Sequence, residues 1–437
     1  REGLQNLTDG KEYDNRYHAA KARSEADGLV GINGTQALTI AAGRGTYSVG
    51  RVQTPTLGMV CERYWKHKRF ESKPFWQVHF GVVDADSGNI LKFTSANRWT
   101  DKAIATDIYN KVKETGSAII TKVATKRKVE KAPLLYDLTT LQKEANSQHG
   151  FTAEHTLSIA QKLYEAKFIT YPRTSSRYIS DDVFATLSKL FKNLENHSEY
   201  GEKVKLLPGS EDYCKNSVNA AKVTDHHALL ITENAAIGLF KDEKIVYDMI
   251  LCRMIEAFSA DCIKDITSVS AQVDHEVEFG ISGSIIRQTG WRALSLKEKN
   301  NRQDKDADAT DNEVKDQVIP NWQEGQHITF SGCTITEGKT KPKPLHTEST
   351  LLAAMENPCK REQIQTCLDL PSAAGFGGTQ TAGKEIEDDT MRQAMKDSGI
   401  GTPATRAAII ETLLKREYMV RQQKKLVPTE KGLALHS

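Results

Sequence analysis

A chain of 437 residues with 38% hydrophobic and 27% charged residues is too long for one ordinary core, so about two to four packed domains are expected. It has no apolar run near the roughly 18 residues that a membrane helix needs. The formal net charge of +2 excludes a globally basic nucleic-acid binder and leaves any such grip to local patches. Seven cysteines with no C-x-x-C pair encode neither a zinc ribbon nor a disulfide framework, which fits a reducing cytoplasm.

The first residues, REGLQNLTDGKEYDN, carry no secretory signal pattern and no initiating methionine, so the true N-terminus is expected to lie upstream. YDNRYHAAKARSEADGLVGIN spaces its aromatic, Ala and Leu residues at helical intervals, predicting one α-helical block over the first seventy residues. YSVGRVQTPTL follows from Tyr47 to Leu57. Gly50 permits close backbone approach, and Arg51, Gln53 and Thr54 offer donors suited to a phosphate or base edge. Such a loop is more often a plain turn. From Phe75 the pattern alternates, in WQVHFGVV and ILKFTS, and β-rich stretches return at ITSVSAQVDHEVEFGISG and QHITFSGCTI. One β domain visited twice, bracketing a helical middle, is the expected arrangement. Lys297 to Val318 is nearly devoid of apolar residues and reads as a solvated loop.

One internal repeat organises the rest. TAEHTLSIAQKLYEAKFITY from Thr152 and TPATRAAIIETLLKREYMVR from Thr402 align without a gap, so that Ile159 matches Ile409, Leu163 matches Leu413 and Phe168 matches Tyr418. Each copy has a Thr cap, an apolar helix face, a basic turn and an aromatic-led strand, as a winged helix-turn-helix does. A helix and strand that serve only packing would read the same way.

FITYPRTSSRY, from Phe168 to Tyr178, holds the strongest chemistry. An apolar strand is predicted to end at Tyr171, where Pro172 stops the ladder, with Arg173 and Arg177 close by. A phenol with an ordinary pKa of about 10 attacks a phosphodiester only where cations hold the phosphate and stabilise the developing charge. A strand-end tyrosine beside solvated arginines is the plain alternative. In TDHHALLIT, His226 and His227 point to different sides of the chain, so one of them can face a site. No ligand spacing nearby supports zinc. GTQTAGKE, from Gly378, has phosphate-loop spacing but Glu385 stands where the metal-binding Ser or Thr belongs, and DKDADATD, from Asp304, lacks the calcium loop's Gly and final Glu; both are rejected.

Together LVGINGTQALT, YSVGRVQTPTL, TTLQKEANSQHGFTAEHTLSIAQKLYEAKFITYPRTSSRY, DHHALLIT, GWRAL, HTESTLLAAME and SGIGTPATRAAIIETL resemble type IA DNA topoisomerases, the topoisomerase III branch most closely. These segments keep the family's order along nearly the whole chain. The resemblance implies a multidomain α+β toroid with two winged-helix-like domains and a β-rich arch. Its expected parts are a helical base (1–70 and 346–437, the second part winged-helix-like), the arch (71–130 and 265–345) and a winged-helix-like catalytic domain (131–264). By resemblance Tyr171 is the nucleophile that forms a 5′-phosphotyrosine, Arg173 its phosphate-stabilising partner and His226 the active-site histidine. Arg51, Gln53, Thr54, Thr139, Gln142, Arg177, Thr405 and Arg406 are the expected DNA contacts. No metal ligand is expected in the chain itself, because Mg2+ in this family belongs to an N-terminal toprim domain, which this sequence lacks.

Two features depart from the family. Ser175 replaces the usual Asp of Tyr-Pro-Arg-Thr-Asp-Ser, and the stretch from Asn357 to Thr390 is longer than the usual connection. The implied activity is ATP-independent cleavage, strand passage and resealing, with the isolated fragment binding single-stranded DNA but not relaxing it. A non-catalytic single-stranded DNA scaffold is the rival reading. The expected setting is a monomer in the bacterial cytoplasm, associated with the nucleoid and partnered by the toprim domain.

Overall fold

The computed structural model describes residues 9–294, 317–358 and 399–436, apart from seven single positions within them. Both rejected motifs, most of the charged loop and most of the 357–390 stretch lie outside the described residues. The chain opens on α1 (Asp14–Gly28), a π-helical turn (Leu29–Gly34) and α2 (Thr35–Ala42). The helical spacing is realised, yet none of these residues is buried. Tyr17 and Ile32 are each 61% exposed and Ile40 is 79% exposed, so large apolar side chains stay uncovered here. Helix α3 (Gln53–Lys68) differs, because it buries Thr56, Leu57, Val60 and Cys61.

Alternation from Phe75 onward produces β1 (Pro74–Val83), β2 (Ile90–Ser95) and, after α4 (Lys102–Thr115), β3 (Ser117–Glu130). Much later the chain adds β4 (Cys262–Val273), β5 (Val277–Gln288), β6 (His327–Thr329) and β7 (Cys333–Lys339). All seven strands form one sheet in the order β6-β3-β4-β5-β2-β1-β7, every neighbour antiparallel. The ring of Phe80 packs on Phe93, Phe279 and Phe330 with centroids 4.8, 4.8 and 4.3 Å away, and Val112 of α4 joins this core. Strands β3 and β4 stay paired out to Glu130↔Cys262, beyond the apolar cluster. Ion pairs line this extension, with Asp265 between Arg127 and Arg287, and Glu130 meeting Lys128, Lys264 and Arg292. Residues 131–261 therefore hang from the end of a paired ribbon.

That suspended part contains α5 (Leu138–His149), α6 (Ala153–Glu165), α7 (Asp181–Leu194) and α8 (Lys241–Phe258). Leu141, Leu163, Ile169, Phe191, Leu229, Tyr247, Ile250 and Phe258 share its core. A third core joins α3 to α9 (Glu348–Glu356), α10 (Pro403–Lys415), the hairpin β8 (Met419–Gln422) and β9 (Lys425–Pro428), and α11 (Glu430–His436). A polar seam runs between this core and the suspended part. Across it Lys143 pairs with Glu356 at 3.0 Å, Ser349 N–H donates to Asn146 Oδ1 and Ala153 N–H donates to the buried Glu348 carboxylate.

Candidate active site

The repeat is a repeat of hydrogen bonds as well as of residue types. Thr152 and Thr402 cap α6 and α10. Each helix ends in a non-glycine residue in the left-handed region, Lys167 (φ 63°) and Glu417 (φ 60°). The next N–H turns back in the same way, Phe168 to the Leu163 carbonyl and Tyr418 to the Leu413 carbonyl. The carbonyls of Phe168 and Tyr418 then accept from Thr232 N–H and Thr429 N–H, and the hydroxyls of these threonines donate to the carbonyls of Lys167 and Glu417. Leu230–Thr232 in the first copy thus corresponds to Val427–Thr429 in the second.

The copies differ in what lies between their two extended segments. In the second a tight turn at Gln423 closes β8 onto β9. In the first, residues 172–228 intervene, and the pairing is one antiparallel bridge, Ile169↔Ile231, supported by Thr170 N–H donating to the Leu230 carbonyl. The strand expected to end at Tyr171 is therefore a bridge and not a ladder. Pro172 supplies no backbone N–H to continue it, and the intervening chain leaves in another direction.

This intervening chain brings His226 back to Tyr171, ring centroids 4.5 Å apart and planes tilted by 51°. Tyr164 of α6 also meets Tyr171, in a T-shaped contact with centroids 5.4 Å apart. Tyr171 is half-buried, while Arg173 and His226 are exposed. The buried Thr174 holds the arrangement: its hydroxyl donates to the His226 carbonyl at 2.9 Å, and its own carbonyl accepts from Leu138 N–H at the start of α5. Ser175, at the position of the family's carboxylate, lies 3.1 Å from the Thr224 hydroxyl. Sequence reasoning missed Tyr164 and Thr174; helical spacing gives no sign that Tyr164 turns toward the extended segment.

The other predicted residues have varied surroundings. Arg177 donates to the carbonyls of Leu134 and Leu135 and pins the segment that leads into α5. Arg51 makes a two-pronged pair with Asp27, 2.6 and 2.7 Å, which holds the Asp27 carboxyl below the usual carboxylate range. The Gln53 amide donates to Ser48 and its carbonyl accepts from Arg416. The Thr54 hydroxyl accepts from Gly50 N–H. Gln142 donates to the Ala153 carbonyl, and its buried Oε1 has no partner.

Arg406 and Thr139, expected to touch DNA, are buried against each other. Arg406 is 3% exposed and donates to the Thr139 hydroxyl at 3.0 Å and to the carbonyls of Ile400 and Gly401. Positive φ at Gly399 and Gly401 turns that loop so that both carbonyls converge on the guanidinium. Burial holds Arg406 below the ordinary arginine range, and three of its five N–H groups are already engaged within the protein. Thr405 is likewise occupied, in the cap of α10 with Thr402. Arg421, the counterpart of Tyr171, pairs with Glu348 and Glu411. Among the described residues no group of three or more His, Cys, Asp or Glu side chains could hold a metal ion, and no helix is long and apolar enough to cross a membrane.

A family described as DNA topoisomerase matches residues 11–437. DNA topoisomerase 3 of Bacillus licheniformis is 35% identical over the whole chain, and that of Bacillus subtilis 34%. The chain spans 56% of each of these relatives. A full-length topoisomerase I from Thermotoga maritima has a similar fold, with a TM-score of 0.64 and 23% identity over 94% of this chain and 58% of that one.

Proposed function

This chain belongs to the type IA DNA topoisomerase family, and from that premise we propose that it carries the strand-cleaving centre of such an enzyme, with Tyr171 as the nucleophile. The observation that carries this reading is the half-buried phenol in ring contact with His226 and Tyr164, with the exposed Arg173 two residues on. The phenolic oxygen attacks a backbone phosphorus and gives up its proton, the phosphorus–O3′ bond breaks, and the leaving oxygen takes a proton. The product is a 5′-phosphotyrosine and a free 3′-hydroxyl. One phosphoester replaces another, so resealing is the reverse step and needs no ATP. Arg173 can fork onto two phosphate oxygens, and His226 can donate to a third or carry a proton.

We read both repeat copies as winged-helix-like units within a toroid, the first cleaving and the second binding. Arg51, Gln53, Thr54 and Gln142 are the remaining candidate strand contacts; Arg51 would exchange Asp27 for a phosphate. The partnerless Oε1 of Gln142 is an acceptor suited to a base or sugar donor. The residues described do not fit a magnesium site, so no step is drawn through the ion; we assign it to the part of the relatives that this chain does not span. The exposed side chains of Tyr17, Ile32 and Ile40 suit contact with that part, which we take to be the toprim domain.

On this reading the 437-residue chain binds single-stranded DNA but does not relax a supercoiled plasmid, because groups that act as a unit lose nearly all their rate when separated. The test is covalent trapping of a single-stranded oligonucleotide by the full-length gene product with magnesium. Tyr171→Phe should abolish the adduct and leave strand binding within a few-fold, and Arg173→Ala should slow cleavage by about two to three decades. A full-length protein that binds but never forms an adduct would instead be a non-catalytic scaffold.

A further inference from the structure

The segment from Trp65 to Lys73, WKHKRFESK, takes no part in the repeat or the cleavage site. It runs from the last turn of α3 into β1, and the stretch KTKPKP, from Lys339 to Pro344, lies against it. Thr340 N–H donates to the Lys73 carbonyl at 2.9 Å, the Ser72 hydroxyl donates to the Thr340 carbonyl at 2.8 Å, and His67 Nδ1 lies 2.8 Å from the Lys343 carbonyl. The two crossings between the third core and the sheet thus form one strap, on which Lys66, Lys68, Arg69, Lys73, Lys339 and Lys341 are all exposed.

A cleft of about 760 Å³ opens on this strap, lined by Trp65, Phe70, Arg69 and Lys73 among others. Trp65 and Phe70 belong to none of the three apolar cores. The Arg69 guanidinium lies over the Trp65 ring, 4.6 Å from its centroid, so indole and guanidinium form a ready stacking surface. Glu62 and Glu71 also line the cleft, and Glu62 is paired with Lys66 at 3.6 Å. Cations in the last turn of a helix complement its dipole, which accounts for Lys66 and Lys68. It does not account for Lys73, Lys339 and Lys341, nor for two aromatic rings in an open cleft.

Aromatic planes with fixed cations beside them are what an unpaired strand recognises, its bases stacking while its phosphates meet the charges; duplex DNA keeps its base faces hidden. We propose that this cleft is a second contact for single-stranded DNA, apart from the Tyr171 centre, in which bases stack on Trp65 and Phe70 and phosphates meet Arg69, Lys73 and Lys341. The proposal rests on the reading of this chain as one that handles single strands.

The test uses the 437-residue chain with oligothymidylates of about 30 and about 8 nucleotides, the shorter within the span of one ordinary single-strand site. Arg69→Ala/Lys73→Ala should weaken binding of the long oligonucleotide five- to tenfold. Its log–log salt slope should fall by about 1.4, the share of two phosphates on a single strand. Arg69→Gln/Lys73→Gln, which keeps more of the side-chain stems, replaces the alanine pair if that pair melts early. A long photoreactive oligonucleotide should crosslink to the peptide that contains Trp65 and Phe70, and Phe70→Ala should lose that crosslink. Unchanged affinity and slope in folded variants, crosslinks confined to 168–178, or equally effective competition by polyglutamate of equal charge would each overturn the proposal. Crosslinks at the cleft with none at 168–178 would strike the Tyr171 assignment and leave this one standing.

Discussion

The two repeat copies share a scaffold down to single hydrogen bonds, yet they leave the residue at one shared position in opposite conditions. In the second copy a tight turn closes the extended segments, and Arg421 is neutralised by Glu348 and Glu411. In the first, residues 172–228 fill the place of that turn, and Tyr171 faces His226 with Arg173 exposed nearby. The longer connection thus brings a histidine to the shared position, while the cap and turn hydrogen bonds beside it are the same in both copies. The lengthened connection is in turn secured through Thr174, whose hydroxyl and carbonyl join His226 to the start of α5. The copies also meet, because Glu348 accepts from Arg421 and from the first N–H of α6.

The largest expected effect separates the copies by chemistry. In the full-length protein Tyr171→Phe should remove the covalent adduct altogether, whereas Arg421→Ala should leave adduct formation detectable at a few-fold lower yield; an adduct that survives in the first or vanishes in the second breaks the comparison. Next in size is the seam. Arg406→Ala strands the Thr139 hydroxyl and the carbonyls of Ile400 and Gly401, so a loss of about 2–4 kcal/mol is expected, read as lost amide-exchange protection in α5 and α10 together. A loss below about 1 kcal/mol would mean that the seam yields to water at little cost.

The sheet, which lies outside the repeat, provides a control. His79 lies between the hydroxyls of Thr94 and Thr336, and burial pushes it down to about 4. Its folded value lies below the ordinary one, so its contribution is whole above about pH 6.5 and is lost toward pH 4, by about 3 kcal/mol in total. Amides of β1 and β2 should lose protection across that window, and His79→Gln should flatten the loss; equal acid sensitivity in both proteins would refute the assignment. The smallest effect tests the scaffold itself. Lys167→Gly and Glu417→Gly each relieve a left-handed residue and should each stabilise by about 0.5–1 kcal/mol, net of glycine's unfolded-state entropy. Opposite signs would show that the two helix ends are not equivalent.

Much of this was legible in the chain. The Thr caps, the gapless repeat and the alternation from Phe75 follow from local rules that need only neighbours in sequence, whereas residue type alone left Tyr171 beside Arg173 open between a nucleophile and a plain strand end. What the sequence could not decide was which cations stay free. Arg51, Arg177 and Arg406 look alike in one dimension, but Asp27, the Leu134 and Leu135 carbonyls and Thr139 claim them from 24, 42 and 267 residues away. It could not give the pairing partner of Phe168–Tyr171 either, because that partner returns only at Leu230. Propensity and periodicity act over a few residues, whereas the availability of a donor depends on whichever acceptor the fold carries to it, and that is settled only when the cores close.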